Sequence, residues 1–353
     1  MQRDRAGRPP TIQDVADVAG VSRAAVSKVI RNAYGVSPSM RERVSAAIEE
    51  LGYRPRINAR GLRGSSFTIG VEMPTLANPF LSLIVEGAIG ALEGSGYRLI
   101  VAPTAPGGTE GEREIEALID RQVDGLIAIS PIVPMAWLEQ QARHTPIVMI
   151  GRHDHTALYD TVTGDDMLGT RMVMDHLFAL GHRRIAHLTL REEVTVASAR
   201  APHGERLLEY VRLMDAAGLG DHIHVARLGF SDSDAYERTR EMLNFPEPPT
   251  AIFVGNDALA FEALRAICDA GLTTAEVSVV GYDGAPLADH PRISLTTVEQ
   301  DGRALGSHAA RLLLERIEGR TEPSHVQLTP QLAVRESTSP VATMASGASA
   351  GYC

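Results

Sequence analysis

Apolar residues recur every three or four positions through the first fifty residues, and beyond them they fall into short blocks separated by helical stretches. In the first region Ile12, Val15, Ala16, Val18 and Ala19 share one face of a helix that Thr11 and Asp14 open with a Thr-x-x-Asp signal and Gly20 closes. Ser22 is placed to cap a second helix, with Val26, Val29 and Ile30 inward and Ser22, Arg23, Ala24, Ser27 and Lys28 on the opposite face. Ser37-Pro38 starts a third, with Val44, Ala47, Ile48 and Leu51 inward and Gly52 as its stop. Two helices joined by a short turn containing glycine form a helix-turn-helix. The same pattern also suits any small three-helix domain, so the helices alone leave both readings open.

Beyond Ser65 the period changes. Strand-like runs cover residues 68–73, 97–102, 125–130, 147–150, 184–190, 223–228, 251–254 and 277–282, with helical segments between them. Such alternation implies parallel sheets with helices on both faces. About 270 residues exceed one such core, and a helix over 166–180, closed by Gly181, separates two sets of four strands. The expected body is therefore a pair of Rossmann-like lobes with a cleft between them.

Charge sharpens the division. The 353 residues carry 34 Lys and Arg against 44 Asp and Glu, but residues 1–65 hold 12 against 6, leaving 22 against 38 in the remainder. A small basic module joined to a large acidic one suits contact with a polyanion at one end only. Lys28 is the sole lysine, which excludes a P-loop phosphate lysine or a Schiff base from the body. Cys268 and Cys353 are too few for a disulfide framework, and no apolar run has the length of a membrane span. A cytoplasmic protein is the expectation.

Several runs now acquire a common meaning: Thr11-Ile12-Gln13-Asp14-Val15-Ala16, Ala19-Gly20-Val21-Ser22, Val26-Ser27-Lys28-Val29-Ile30-Arg31-Asn32 and Glu49-Glu50-Leu51-Gly52-Tyr53-Arg54-Pro55. Together they resemble the headpiece of the lactose-repressor (LacI) family, and Asn58-Ala59-Arg60-Gly61-Leu62-Arg63 resembles that family's hinge helix. Asn78-Pro79-Phe80, Gly181-His182-Arg183-Arg184-Ile185, Val254-Gly255-Asn256-Asp257 and Val280-Gly281-Tyr282-Asp283 extend the likeness to its body, which is similar to periplasmic sugar-binding proteins. The resemblance implies operator contacts from Thr11, Ser22, Arg23, Ala24, Ser27, Lys28, Arg31, Asn32 and Asn58, with Leu62 as a wedge in the minor groove. It departs from the family at Lys28, where Arg is usual, at Gly61 within the hinge, and at Glu209, where Gly is usual. The implied division is a headpiece at 1–57, a hinge and linker at 58–66, an N-terminal lobe at 67–161 and 292–320, a C-terminal lobe at 162–291 and 321–336, and a disordered tail at 337–353.

In open parallel sheets ligands bind beyond the carboxyl ends of strands. Asn78, Thr104, Ser130, Arg152, Asn256 and Asp283 each follow a strand, and the resemblance adds Phe80, Asp165, Arg206 and Phe230 as effector residues. Carboxylate, amide and guanidinium groups suit vicinal hydroxyls, and an aromatic ring covers a sugar face or a base, so a sugar or nucleoside-like effector fits. The expected partners are an effector, pseudo-palindromic double-stranded DNA and a second copy of the chain, with no cofactor. His153-Asp154-His155 and His222-Ile223-His224 lack a third metal ligand and read as exposed histidines. No nucleophile elbow or dinucleotide fingerprint is present, so an enzyme is not expected. A sugar-binding or sugar-converting α/β protein without DNA function remains the alternative.

Overall fold

A computed structural model describes residues 9–30, 33–53, 65–104, 111–195, 200–228 and 234–341. It divides into two compact units, residues 1–66 and 67–353. In the first, α1 (Ile12–Ala19), α2 (Arg23–Ile30) and α3 (Pro38–Leu51) enclose Val15, Ala16, Ala19, Val26, Val29, Val44, Ala47 and Tyr53. The capping box is formed: the Thr11 hydroxyl accepts from the Asp14 amide, and Asp14 accepts from the Thr11 amide at 2.8 Å. Gly20 ends α1 at φ 64° and Gly52 ends α3 at φ 57°, both in the left-handed region that glycine adopts without strain.

The second unit holds two six-stranded sheets. The first consists of β1 (Thr68–Met73), β2 (Arg98–Pro103), β3 (Gly125–Ile129), β4 (Ile147–Ile150), β5 (Asp160–Gly164) and β11 (His325–Leu328), all parallel, in the order β2-β1-β3-β4-β5-β11. The second consists of β6 (Ile185–Thr189), β7 (His224–Arg227), β8 (Ala251–Val254), β9 (Ser278–Asp283), β10 (Thr296–Glu299) and β12 (Gln331–Ala333), in the order β7-β6-β8-β9-β10-β12, with β12 antiparallel. Between the strands run α4 (Pro79–Ala91), α5 (Glu112–Asp120), α6 (Met135–Ala142), α7 (Asp166–Ala179), α8 (Glu192–Thr195), α9 (Pro202–Ala216), α10 (Asp234–Leu243), α11 (Asp257–Asp269) and α12 (Gly302–Ile317). Among the described residues no helix is long and apolar enough to cross a membrane.

Three boundaries move from where the sequence put them. Strand β5 stays in the first sheet to Gly164, β10 pairs with β9 in the second sheet, and β11 pairs with β5 in the first. The chain therefore changes lobes at Asp165, at residues 300–301 and at residues 329–330, and 296–299 belongs to the C-terminal lobe rather than the N-terminal one. These are strands of four or five residues whose sheet is chosen by hydrogen bonds to distant partners, which local pattern does not encode. The tail also starts later than its Ser, Ala, Thr and Gly content suggested. Ser337 is 1% exposed; its hydroxyl donates to the Val279 carbonyl at 2.6 Å and accepts from the Thr296 amide at 2.8 Å, and the Val341 amide donates to Leu180. Hydroxyl side chains here satisfy the ends of β9 and β10, so residues 337–341 are part of the lobe, while 342–353 lie outside the described residues.

In the first lobe, α4 and α12 cross at backbone contact distance. A Cβ on Gly306 would lie 1.8 Å from the Ile84 carbonyl oxygen, and one on Gly87 would lie 2.0 Å from that of Arg303, whereas a Cβ on Gly90 would meet nothing within 4 Å. Gly306→Ala is expected to destabilise the body by at least roughly 1–3 kcal/mol, because backbone atoms cannot rotate aside. Gly90→Ala, at an exposed helical site, should instead stabilise it by roughly 0.5–1 kcal/mol. Urea denaturation of both variants tests the assignment, which equal midpoints would refute.

Candidate functional site

The headpiece presents the face expected of a reading helix. Ser22, immediately before α2, and Arg23, Ala24 and Lys28 on it are exposed, while Val26 and Val29 are buried. The Ser22 hydroxyl accepts from the Ala25 amide at 3.2 Å, so it shapes the helix start as well as standing on that face. Ser27 is half-buried, and the Thr11 hydroxyl is occupied by Asp14 at 2.7 Å. Arg31, Asn32, Asn58 and Leu62 lie outside the described residues.

In the body the structure gathers a polar cluster where the two lobes meet. Arg206, on α9, is 2% exposed; its Nε donates to Asp166 Oδ1 at 2.7 Å, its Nη1 donates to the Gly255 carbonyl at 2.7 Å, and its guanidinium carbon lies 3.6 Å from the centre of the Tyr282 ring. Asp283, ending β9, lies 3.9 Å from Arg206 Nη1 and accepts from Gln300 Nε2 at 2.8 Å. Its other oxygen accepts from Asn78 Nδ2 at 3.2 Å, and since Asn78 opens α4 this bond spans the two lobes. His153, which follows β4, meets Asp166 Oδ2 at 2.8 Å, so Asp166 is shared by one group from each lobe.

Backbone geometry aims these groups. Asp283 has φ 117°, which costs a non-glycine residue on the order of 1–3 kcal/mol and must be held by its surroundings. Asp257 supplies the hold: it accepts from the Ala285 amide at 2.6 Å and from the Thr297 hydroxyl at 2.6 Å. Only glycine fits at 281, where a Cβ would stand 2.2 Å from Asp257 Oδ1.

Burial pushes the Asp257 carboxyl up to about 8, aided by the charge of Asp283, and pushes Asp283 up to about 6 against the pull of Arg206, Asn78 and Gln300. Burial would also raise Asp166, but Arg206 and His153 outweigh it and hold that carboxyl below the ordinary aspartate value. Burial alone would lower His153, and Asp166 reverses the sign.

Not every expected residue joins the cluster. Arg152 is taken up within the first lobe, donating to the carbonyls of Pro131 and Val133 and to Asp154, which also accepts from the Tyr159 hydroxyl. Asp165 and Asn256 cap α7 and α11 through the Leu168 and Leu259 amides, each at 2.9 Å. Phe80 is core, its ring against Gly302; Ser130 donates to the Ile150 carbonyl; Thr104 hydrogen-bonds the buried Glu72 carboxyl. Phe230 lies outside the described residues. Glu209, standing where the family has glycine, is 1% exposed and paired with Arg212 at 2.7 Å and Arg171 at 3.4 Å.

The sequence reading missed Asp166, His153, Gln300 and Asp257. Gln300 follows a strand and so carried the same signal as the others, hidden because β10 went unrecognised. Asp166 was masked by its neighbour Asp165, and His153, read as an exposed histidine, is an ion-pair partner whose side chain is 20% exposed. Among the described residues no cluster of three or more His, Cys, Asp or Glu has metal-binding geometry.

Asp257 gives a pH signature. A carboxyl raised on folding contributes stability that is complete below its unfolded pKa and is lost as pH rises through the folded value near 8. From pH 7 to pH 9 the body should lose about 1 kcal/mol, to which His153 adds in the same direction, and Asp257→Asn should flatten most of that slope. Denaturation midpoints at the two pH values measure it; equal parental stability would mean that Asp257 is already ionised at pH 7.

Residues 11–56 match the model of bacterial regulatory proteins of the lacI family, and residues 174–338 match that of the periplasmic binding protein-like domain. The ribose operon repressor of Escherichia coli (strain K12) is 33% identical over 334 residues, covering 93% of this chain and 99% of that protein. A crystal structure of the lac repressor dimer bound to operator and an anti-inducer is 30% identical, with a TM-score of 0.76 over 94% of this chain and 100% of that one. A regulator from Enterococcus faecium with bound ribose is 27% identical, with a TM-score of 0.67 over 78% of this chain and 99% of that one. The chain belongs to the lacI family of bacterial regulatory proteins: it is a DNA-binding transcriptional regulator controlled through a ligand-binding body.

Proposed function

We propose that this protein is a cytoplasmic repressor that binds a pseudo-palindromic operator as a homodimer and is switched by a sugar or nucleoside-like effector held between the lobes of its body. The observation that carries the reading is the bond from Asn78 to Asp283, made across the lobes beside buried Arg206. Hydroxyls that replace Asn78 or Gln300 on the Asp283 carboxylate would change what holds the lobes together, and the three crossovers at 165, 300–301 and 329–330 leave them free to pivot. Dimerisation is supported by β2, the edge strand of the first sheet, which leaves Ile100 37% and Val101 36% exposed; an open apolar edge is a liability unless covered. At the DNA end, Arg23 stands on the exposed face of α2 and can pair bidentately with guanine, while Leu62 is proposed as the minor-groove wedge.

Asp283→Ala should weaken effector binding ten- to hundredfold, the loss of a charge-assisted contact worth roughly 1.5–3 kcal/mol, and leave the fold intact. Calorimetry on full-length parent and variant checks this, and normal binding by the variant would remove Asp283 from the site. In the headpiece, Arg23→Ala should relax base preference at one symmetric position per half-site without changing the salt dependence by more than about one phosphate's worth. Binding-site selection returning the parental motif would assign Arg23 to the DNA backbone instead.

A further inference from the structure

The two buried guanidiniums of the expected effector site are each held by protein acceptors, Arg206 beside the lobe boundary and Arg152 within the first lobe. Arg206 gives Nε to Asp166 and Nη1 to the Gly255 carbonyl, lies over the Tyr282 ring, and has Asp283 at 3.9 Å. Arg152 gives Nη1 to two carbonyls and Nη2 to Asp154, while its buried Nε meets no hydrogen-bond partner among the described residues. Around Arg206 the buried acids Asp166 and Asp283 outnumber it, and His153 is a further basic group in contact with Asp166. Arg200, exposed beside them, donates Nη1 to the His153 carbonyl.

Helix N-termini are the other common seats for anions. Three of those that follow strands are closed by their own side chain, α4 by Asn78 on the Phe80 amide, α7 by Asp165 on Leu168, and α11 by Asn256 on Leu259, whereas α9, which carries Arg206, opens at Ala201 without a side-chain cap. Two of these caps hold amide oxygens and the third a carboxylate, so a phosphate there would displace an acceptor already in place. What the cluster offers a ligand is carboxylate and carboxamide oxygen. Hydroxyl hydrogens satisfy those atoms, while a further anion is repelled by them in a site with little water to screen it.

We propose that Asp166, by engaging Arg206, fixes the charge selectivity of the site: the effector is an uncharged, hydroxyl-rich molecule, and its phosphorylated counterpart is rejected. This rests on the sugar or nucleoside reading above and narrows it. Asp166 is a specificity-determining residue acting through Arg206. With its charge removed, Arg206 becomes available for the bidentate pairing that phosphate favours.

The experiment is calorimetry on the full-length protein with two matched pairs, D-ribose against D-ribose 5-phosphate and adenosine against adenosine monophosphate. In whichever pair binds, the uncharged member should bind the parent at least a hundredfold more tightly. In Asp166→Asn the preference should shrink at least tenfold, through tighter binding of the phosphorylated member. A phosphorylated ligand bound by the parent as tightly as its uncharged partner overturns the proposal, and that measurement needs no variant. An unchanged ratio in folded Asp166→Asn, checked by its denaturation midpoint, overturns the role of Asp166. If neither member of either pair binds, the sugar or nucleoside reading fails and takes this inference with it; a preference for phosphate refutes the charge assignment alone.

Discussion

A guanidinium withdrawn from water governs the cleft of this body. Arg206 is 2% exposed, and an isolated buried charge would be strongly unfavourable, so its surroundings must supply both countercharge and hydrogen-bond acceptors. They come from different parts of the chain: Asp166 from the start of the crossover helix α7, the Gly255 carbonyl from the end of β8, the Tyr282 ring and the Asp283 carboxylate from the end of β9. Breaking one such partnership leaves a buried charge uncompensated, typically several times more costly than losing an exposed pair. The ends of α7, β8 and β9 are therefore tied to one position by a single side chain.

Small residues make that convergence possible. A Cβ on Gly169 would stand 2.1 Å from the Tyr282 hydroxyl, and one on Gly164 would stand 2.7 Å from Gln300 Oε1. The first glycine lets the tyrosine slide under Arg206. The second lets Gln300 sit against the first crossover while its amide reaches Asp283. The first two of the three crossovers thus touch the groups proposed to hold the effector.

Legibility in the sequence followed the range of the interactions. The headpiece was readable because its signals are local: Thr11 with Asp14, Gly20 and Gly52 as stops, and a 3.6-residue stripe of valine and alanine. Eight strands announced themselves as apolar runs, whereas β5, β10, β11 and β12 carry a more polar pattern and are strands because of distant partners, Thr296 opposite Val280 and His325 opposite Thr161 among them. At the site, position after a strand found Asn78 and Asp283, and resemblance found Arg206. The same rule also selected Arg152 and Asn256, and resemblance added Asp165, because a polar residue after a strand serves equally as a helix cap or an internal lock. Distinguishing those uses requires knowing which acceptor each donor meets, and that is a property of the folded chain.

The placement of Asp283 bears on how such a body can transmit a signal. One oxygen accepts from the N-terminal lobe through Asn78, and the other from the crossover residue Gln300. Its backbone is held at φ 117° by Asp257 rather than by its own preference. A ligand that competes for those two oxygens acts on a lobe–lobe bond and a pivot contact at once, within the length of one side chain. The free energy it can deliver to the lobes is bounded by its differential affinity for their two arrangements, and whatever it delivers is returned to its own binding when the arrangement is fixed from elsewhere. Concentrating a strained backbone, a raised carboxyl and both lobes' hydrogen bonds on one residue therefore makes that difference large for a small ligand.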